Sequence, residues 1–184
     1  GREDGALPPR VAEVIDKELK AIIGNGFAVL YYIAMKLVEQ SNAAGYVVGS
    51  RGSVGSSLVA FLAGITEVNP LPPHHRCSRC HAVIWADDET DSKRRPAGCG
   101  PDLAPRECCG TPMVQDGYRI PFEAFMGLKG NKTPDIDLNF AGEYQSTAMA
   151  EIERIFGRDH VFRAGTISTL QERNARGFPL KYVE

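Results

Sequence analysis

Apolar positions recur with helical spacing near the start of the chain. Val11, Val14, Ile15, Leu19, Ile22 and Ile23 follow Pro8-Pro9, and proline in the first turn of a helix costs no hydrogen bond. Glu13/Lys17 and Asp16/Lys20 form i,i+4 pairs on the polar side. Gly24-Asn25-Gly26 is expected to end this helix. Phe27 to Val38 is apolar almost all round, which predicts a buried second helix. Tyr46 to Val48 predicts a short strand, followed by a Gly/Ser-rich turn and an apolar helix from Val54 to Ile65. Asn69-Pro70-Leu71-Pro72-Pro73 opens an irregular segment that runs to about Gly117. Pro121 to Met126 then predicts a short helical stretch, and Asp135 begins an apolar strand. Glu143 to Phe156 predicts a helix with Ala148, Ile152, Ile155 and Phe156 on one face. His160 to Arg163 predicts a short strand and Ile167 to Arg176 a final helix, with no internal repeat. Helices and strands mix, as in an α/β (α+β) chain.

Two segments carry candidate chemistry. In Pro134-Asp135-Ile136-Asp137-Leu138-Asn139-Phe140, the acids stand at i and i+2, so in a strand they share one face while Ile136 and Leu138 take the other. Paired carboxylates repel unless a cation neutralises them. Mg²⁺ takes oxygen ligands, commonly one or two carboxylates plus substrate phosphates. Solvated acids at a turn or strand end are the plainer reading of the same pair. The second segment, Gly49-Ser50-Arg51-Gly52-Ser53, lies between the expected strand and helix. Such a turn presents backbone N–H groups and a helix N-terminus to phosphate. Ser50 and Ser53 offer hydroxyls or caps, and Arg51 offers a donor fork that matches phosphate oxygens. Neither the Walker nor the Rossmann spacing is present. A glycine-rich turn with a capping serine is the alternative. Together the two segments suggest a nucleotidyltransferase palm.

GYVVGSRGSVGSSLVAFLAGITEVNPLPPH, IPFEAFMGLKG, PDIDLNFAGEYQ and Arg163-Ala164-Gly165-Thr166-Ile167 resemble the catalytic palm of PolC-type bacterial replicative DNA polymerase III. The resemblance runs from about Pro9 to the C-terminus. It implies a palm related to the DNA polymerase beta-like nucleotidyltransferases, with a small inserted zinc-binding segment. It implies template-directed addition of dNMP to a primer 3′-hydroxyl, with Asp135 and Asp137 holding two Mg²⁺ ions. It also implies that Gly49, Ser50, Arg51, Gly52 and Ser53 cradle the β and γ phosphates, and that Arg163 and Arg173 contact phosphate or primer. At the latter position the family usually carries lysine, and arginine keeps the charge but not the ammonium geometry. The family's third carboxylate is expected on a later strand, beyond Glu184.

The five cysteines are Cys77, Cys80, Cys99, Cys108 and Cys109. In a cytoplasmic chain this spacing favours zinc over disulfides, and zinc takes four thiolate or imidazole ligands. Cys77-x-x-Cys80 is a good knuckle. The family carries a second C-x-x-C before Gly-Thr where this chain has Cys108-Cys109-Gly110-Thr111. Cys109 matches best, and Cys108, Cys99, His74, His75 or His81 is left as the fourth ligand. Neighbouring cysteines are expected to point apart. His74 and His75 are expected to be exposed in a loop, and Trp85 to pack beside the knuckle. The zinc is expected to be structural.

The chain has 184 residues and a formal net charge of −2, so it carries no overall basic footprint for nucleic acid. No signal peptide or membrane-length apolar run is evident, which gives a cytoplasmic expectation, nucleoid-associated by the resemblance. The abrupt start and stop suggest part of a larger protein. The expected organisation is a lead over 1–8, a first palm part over 9–70, a cysteine-rich insertion over 71–120 and a second palm part over 121–184. Expected partners are primer-template DNA, dNTP, the remaining polymerase domains and, through the parent chain, a sliding clamp. Two other functions fit the residues: a non-catalytic zinc-ribbon nucleic-acid module and a template-independent nucleotidyltransferase.

Overall fold

A computed structural model describes residues 7–88, 98–162, 164 and 165. They fall into two compact units that divide between Glu151 and Ile152. In the first unit, α1 (Pro9–Gly24) begins with proline in its first turn, and Asn25 closes it by donating from Nδ2 to the Ala21 carbonyl at 2.8 Å. Its apolar stripe serves two cores. Ile22 joins Tyr31, Ala34, Val54, Ala60, Ile65, Phe122, Phe125 and Met126. Val11, Val14 and Ile15 pack on Leu58, Leu71 and Trp85. Leu19 and Ile23 are exposed instead. Lys17 reaches across to Glu123 at 2.6 Å rather than serving only its own helix.

Helix α2 (Ala28–Ala43) is not buried all round. Tyr31, Ala34, Leu37, Val38 and Ser41 face inward, whereas Val29, Leu30 and Tyr32 are exposed. A single core covers only one face of a helix, whatever the composition of the other. Strand β1 is Gly49–Arg51, three residues later than the apolar pattern predicts. Pairing decides this: β1 runs antiparallel to β7 (Asp137–Asn139), while Val47 is exposed and Tyr46 packs against the Tyr144 ring at 5.4 Å.

The expected Val54–Ile65 helix is also divided. A 3₁₀ turn (Gly52–Ser56) is followed by extended Ser57 and then by α3 (Leu58–Leu62). The Ser57 hydroxyl accepts from Ala60 N at 3.1 Å, so Ser57, not Ser50 or Ser53, caps the helix.

The described residues of 71–120 carry more regular structure than their punctuation suggests. β2 (His74–Arg76) lies between β3 (Val83–Trp85) and β6 (Val114–Asp116) in an antiparallel sheet, and β4 (Glu107–Cys108) pairs with β5 (Thr111–Pro112). His74 and His75 are buried in β2 rather than exposed in a loop. Burial holds His74 below the usual imidazole range, and its Nδ1 lies 2.8 Å from the Pro72 carbonyl. Trp85 packs on the second core and on His74 (4.9 Å between rings). The entry and exit of this region run side by side. Tyr118 N, Arg119 N and Ile120 N donate to Asn69, Leu71 and Pro70 carbonyls at 2.9 to 3.0 Å. Gly117 makes that approach possible: at φ 96, a Cβ there would strike the Pro72 carbonyl.

Arg10 lies over Trp85 at 4.8 Å and pairs with Asp87 at 3.1 Å, and Arg119 grips the same carboxylate. Arg119 and then Arg10 hold the Asp87 carboxyl below its ordinary range. A depressed carboxylate pKa contributes stability above the unfolded value of about 3.9 and loses it as pH falls through the folded value. Asp87→Asn should therefore lower the thermal midpoint at pH 7, and the difference from wild type should shrink as pH falls through the depressed carboxyl pKa. The effect should be about 1 kcal/mol at most, because both arginines are partly exposed. Thermal melts across pH check it.

A short helix α4 (Glu123–Met126) precedes β7, and α5 (Gly142–Phe156) follows it. Tyr144 and Ala148 are the buried residues of α5. In the second unit, Arg158–His160 is a 3₁₀ turn entered through Gly157 at φ 86, where His160 was expected to start a strand. Arg163, Arg173 and the expected helix Ile167–Arg176 lie outside the described residues. No single described helix is long and apolar enough to cross a membrane, and the consecutive pair α1 and α2 is bent by 109°.

Candidate functional site

The two candidate segments meet in one small sheet. The β1–β7 register sets Gly49 opposite Asn139, Ser50 opposite Leu138 and Arg51 opposite Asp137. Directly opposed residues in an antiparallel pair share a face, so Arg51 and Asp137 stand together. Ile136 and Leu138 pack on the first core, and Asp137 is half-buried. Asp135 is exposed and precedes the strand. Gly52 explains the early stop: its φ of 79 turns the chain out of β1, so nothing pairs with Asp135. A Cβ at Gly52 would sit 3.5 Å from Asp137 Oδ2, so the backbone passes close to that carboxylate.

Ser50 shares the face of Leu138. Its hydroxyl bonds Thr66 Oγ1 at 2.7 Å and lies 3.3 Å from Glu67 Oε2. The N-terminus of α3 is likewise occupied. Leu58 N donates to Glu18 Oε1 at 2.9 Å, while Val59 N and the Ser57 hydroxyl donate to Oε2 at 3.0 and 2.8 Å. Glu18 is buried, and desolvation raises its carboxyl pKa against these stabilising donors. Sequence reasoning missed this residue, although the signal was present. Glu18 is an acid within the Val11, Val14, Ile15, Ile22 stripe.

The cysteines form the second site. The sulfurs of Cys77, Cys80, Cys108 and Cys109 all lie within 4.8 Å of one another. Cys80 and Cys108 are 3.6 Å apart, and Cys108 and Cys109 3.7 Å. Four sulfurs about 2.3 Å from zinc in a tetrahedron are separated by roughly 3.8 Å, so this donor set fits the ion. Neighbouring cysteines converge because Cys109 has φ 54 and Gly110 φ 70, a backbone reversal that turns both side chains inward. This corrects the expectation that they point apart and makes Cys108 the fourth member. Cys99 Sγ instead lies 3.2 Å from Asp102 Oδ2, and His74 and His75 are engaged in the sheet. The Cys80 N–H, and then that of Arg79, draw the Cys77 thiol down to about 6. Cys80, Cys109 and Cys77 around Cys108 push its thiol up to about 12. One thiolate forms readily and the next forms against its charge, an arrangement that a bound cation would relieve.

A mixed α/β unit with a paired Gly/Ser–Asp strand site and a four-cysteine cluster is thus the class of molecule. The bacterial DNA polymerase III alpha NTPase domain family matches residues 2–181, and the chain belongs to that family. Within it, the chain is 56% identical over 180 residues to the PolC-type DNA polymerase III of Caldanaerobacter subterraneus subsp. tengcongensis, covering 97% of this chain and 12% of that protein. The PolC-type enzyme of Thermotoga maritima is 56% identical over 97% of this chain and 13% of its own length. That of Bacillus subtilis is 54% identical over 96% of the chain and 12% of its own length. The chain therefore spans about an eighth of the curated relatives it matches.

Proposed function

We propose that this chain is part of the catalytic core of a replicative DNA-directed DNA polymerase, built as a DNA polymerase beta-like nucleotidyltransferase palm. The observation that carries the reading is the β1–β7 pairing, which sets Arg51 opposite Asp137 with the Gly52 backbone beside its carboxylate. Residues 9–70 and 121–184 form the palm in this reading, and 71–120 is a zinc-bearing insertion. Ile22, Tyr31 and Val54 from the first part share a core with Phe122, Phe125 and Met126 from the second, which supports the division.

Asp137 on β7 and Asp135 two residues before it would hold Mg²⁺, since both are oxygen donors and neither is fully buried. When bound, two such ions supply Lewis-acid stabilisation of the attacking and leaving oxygens. Arg51, Gly52 and Ser53, with the Gly49 and Ser50 backbone, would hold the β and γ phosphates of a dNTP. The Arg51 fork would neutralise charge that develops on pyrophosphate as the primer 3′-hydroxyl attacks. Arg163 and Arg173 remain proposed contacts to phosphate or primer. The parent enzyme would work on primer-template DNA in the cytoplasm, with its other domains and a clamp.

Arg51→Ala in the full-length polymerase should raise the KM for dNTP about ten- to a hundred-fold, because a charged hydrogen-bonding partner is worth about 1.5–3 kcal/mol. The Kd for primer-template should stay within about two-fold of wild type, the tolerance of a surface change remote from the duplex. Arg51→Lys should recover only part of the loss, since a point charge cannot replace a planar fork. Steady-state extension against dNTP concentration tests this. An unchanged KM in Arg51→Ala would remove the cradle assignment. Mg²⁺-dependent dNTP binding would separate this reading from a non-catalytic zinc-ribbon module.

A further inference from the structure

We propose that Glu18 is a positioning residue for nucleotide binding, fixing the phosphate cradle from inside the protein through Ser57. The inference rests on the cradle reading above and deepens it. Glu18 is 1% exposed and comes from α1, 40 residues before the segment it holds. Its two oxygens accept from Leu58 N, Val59 N and the Ser57 hydroxyl at 2.8 to 3.0 Å. The Ser57 oxygen in turn accepts from Ala60 N and from the Tyr31 hydroxyl, each at 3.1 Å. Tyr31 is 5% exposed, and burial pushes its phenol up to about 12, so it remains a donor.

This network fixes the position of the Arg51–Ser53 segment of the cradle. Ser57 N donates to Val54 O at 3.1 Å, and Val54 is fully buried in the first core. The 3₁₀ turn Gly52–Ser56 is therefore held at its C-terminal end by Glu18 and Ser57. Its other end is held by the pairing of β1 with β7. Movement at Ser57 is passed along five residues to Gly52 and Arg51. A shift of ~1 Å at reacting groups can cost ~100-fold in rate.

Glu18→Gln is the informative substitution. The amide keeps one acceptor and turns an NH₂ toward a donor that the carboxylate satisfied, so one buried polar group loses its partner. In the full-length polymerase, Glu18→Gln should raise the KM for dNTP about ten-fold. Primer-template affinity should stay within about two-fold of wild type. A variant that merely unfolds a share of the molecules lowers the apparent kcat and leaves KM unchanged, so KM reports positioning. Tyr31→Phe keeps the ring and removes the donor to Ser57, and should raise the same KM about two- to three-fold. It decides the matter if Glu18→Gln does not fold. Arg51→Ala is measured alongside. A raised KM in Arg51→Ala with wild-type KM in the folded Glu18→Gln, or in Tyr31→Phe if that is the only folded variant, overturns the role of Glu18 and leaves the cradle standing. Wild-type KM in all of them overturns the cradle itself.

Discussion

Asp137→Asn in the full-length polymerase should reduce primer extension at least about a thousand-fold, since metal-assisted stabilisation of the transition state is worth several kcal/mol and each 1.36 kcal/mol is ten-fold. Asp135→Asn should act in the same direction. Neither should destabilise the fold. Ile136 and Leu138 carry the packing on the other face, and removing one of two neighbouring like charges relieves repulsion. A thermal midpoint equal to or above wild type, together with lost activity, separates a metal ligand from a structural acid. Retention of activity within ten-fold would remove both residues from the reaction. The 184-residue chain by itself should give no extension at all. The proposed palm would use three carboxylates. Among the described residues, the only cluster of three or more potential ligands is the cysteine site. Glu143 is exposed on α5, and Glu151 accepts from Gln40 at 2.7 Å. With two ligands, metal affinity should be weak and geometry loose. Mg²⁺-dependent extension by the isolated chain would overturn the proposal that it needs the remainder of a protein some eight times longer.

The sequence was most legible where local pattern and tertiary demand agree. The Pro8-Pro9 start and Asn25 stop of α1, the alternation of Ile136 and Leu138 with the acids, and the span of α5 all follow from spacing. Pairing and burial by distant residues were not legible. The first strand lies three residues beyond its apolar run because its position is set by β7, some 90 residues on, and not by its own apolar content. The apolar run from Val54 is not one helix, because Glu18 caps the start of α3 from another helix. The proline run before His74 and His75 points to an exposed loop, and the lone Trp85 to packing beside the knuckle. The sheet β3-β2-β6 and the second core instead bury all three residues. The cysteine site was half legible. Cys77-x-x-Cys80 is a local signature, but the convergence of Cys108 and Cys109 depends on a positive φ that no spacing rule reports.

Zinc analysis of freshly purified, never-chelated protein should return about one ion per chain, and Cys77→Ser or Cys80→Ser should abolish it. The binding energy of a structural zinc, of order 10 kcal/mol at neutral pH, would be large beside the stability of a whole domain. Its removal should therefore be visible, but the fold predicts where. The Cys77–Cys80 knuckle and the β4–β5 hairpin have little apolar packing of their own: Cys77 alone of the four cysteines is buried, and Cys80 and Cys109 are exposed. The sheet β3-β2-β6, by contrast, is tied to α1 through Trp85 and Arg10 and closed by the run of residues 69–72 beside 117–120. Chelation should thus release the knuckle and hairpin first, and hydrogen exchange should rise at Cys77–Ala82 and Glu107–Pro112 while β2, β6, β1 and β7 stay protected. Cys99→Ser should leave zinc content unchanged, because that thiol faces Asp102 and lies outside the cluster. A chain that holds no zinc, or one that loses it on Cys99→Ser while tolerating Cys108→Ser, would break the four-thiolate assignment. Uniform exchange across both regions after chelation would instead mean that the ion supports the whole first unit, including the strand pair that presents Arg51 and Asp137.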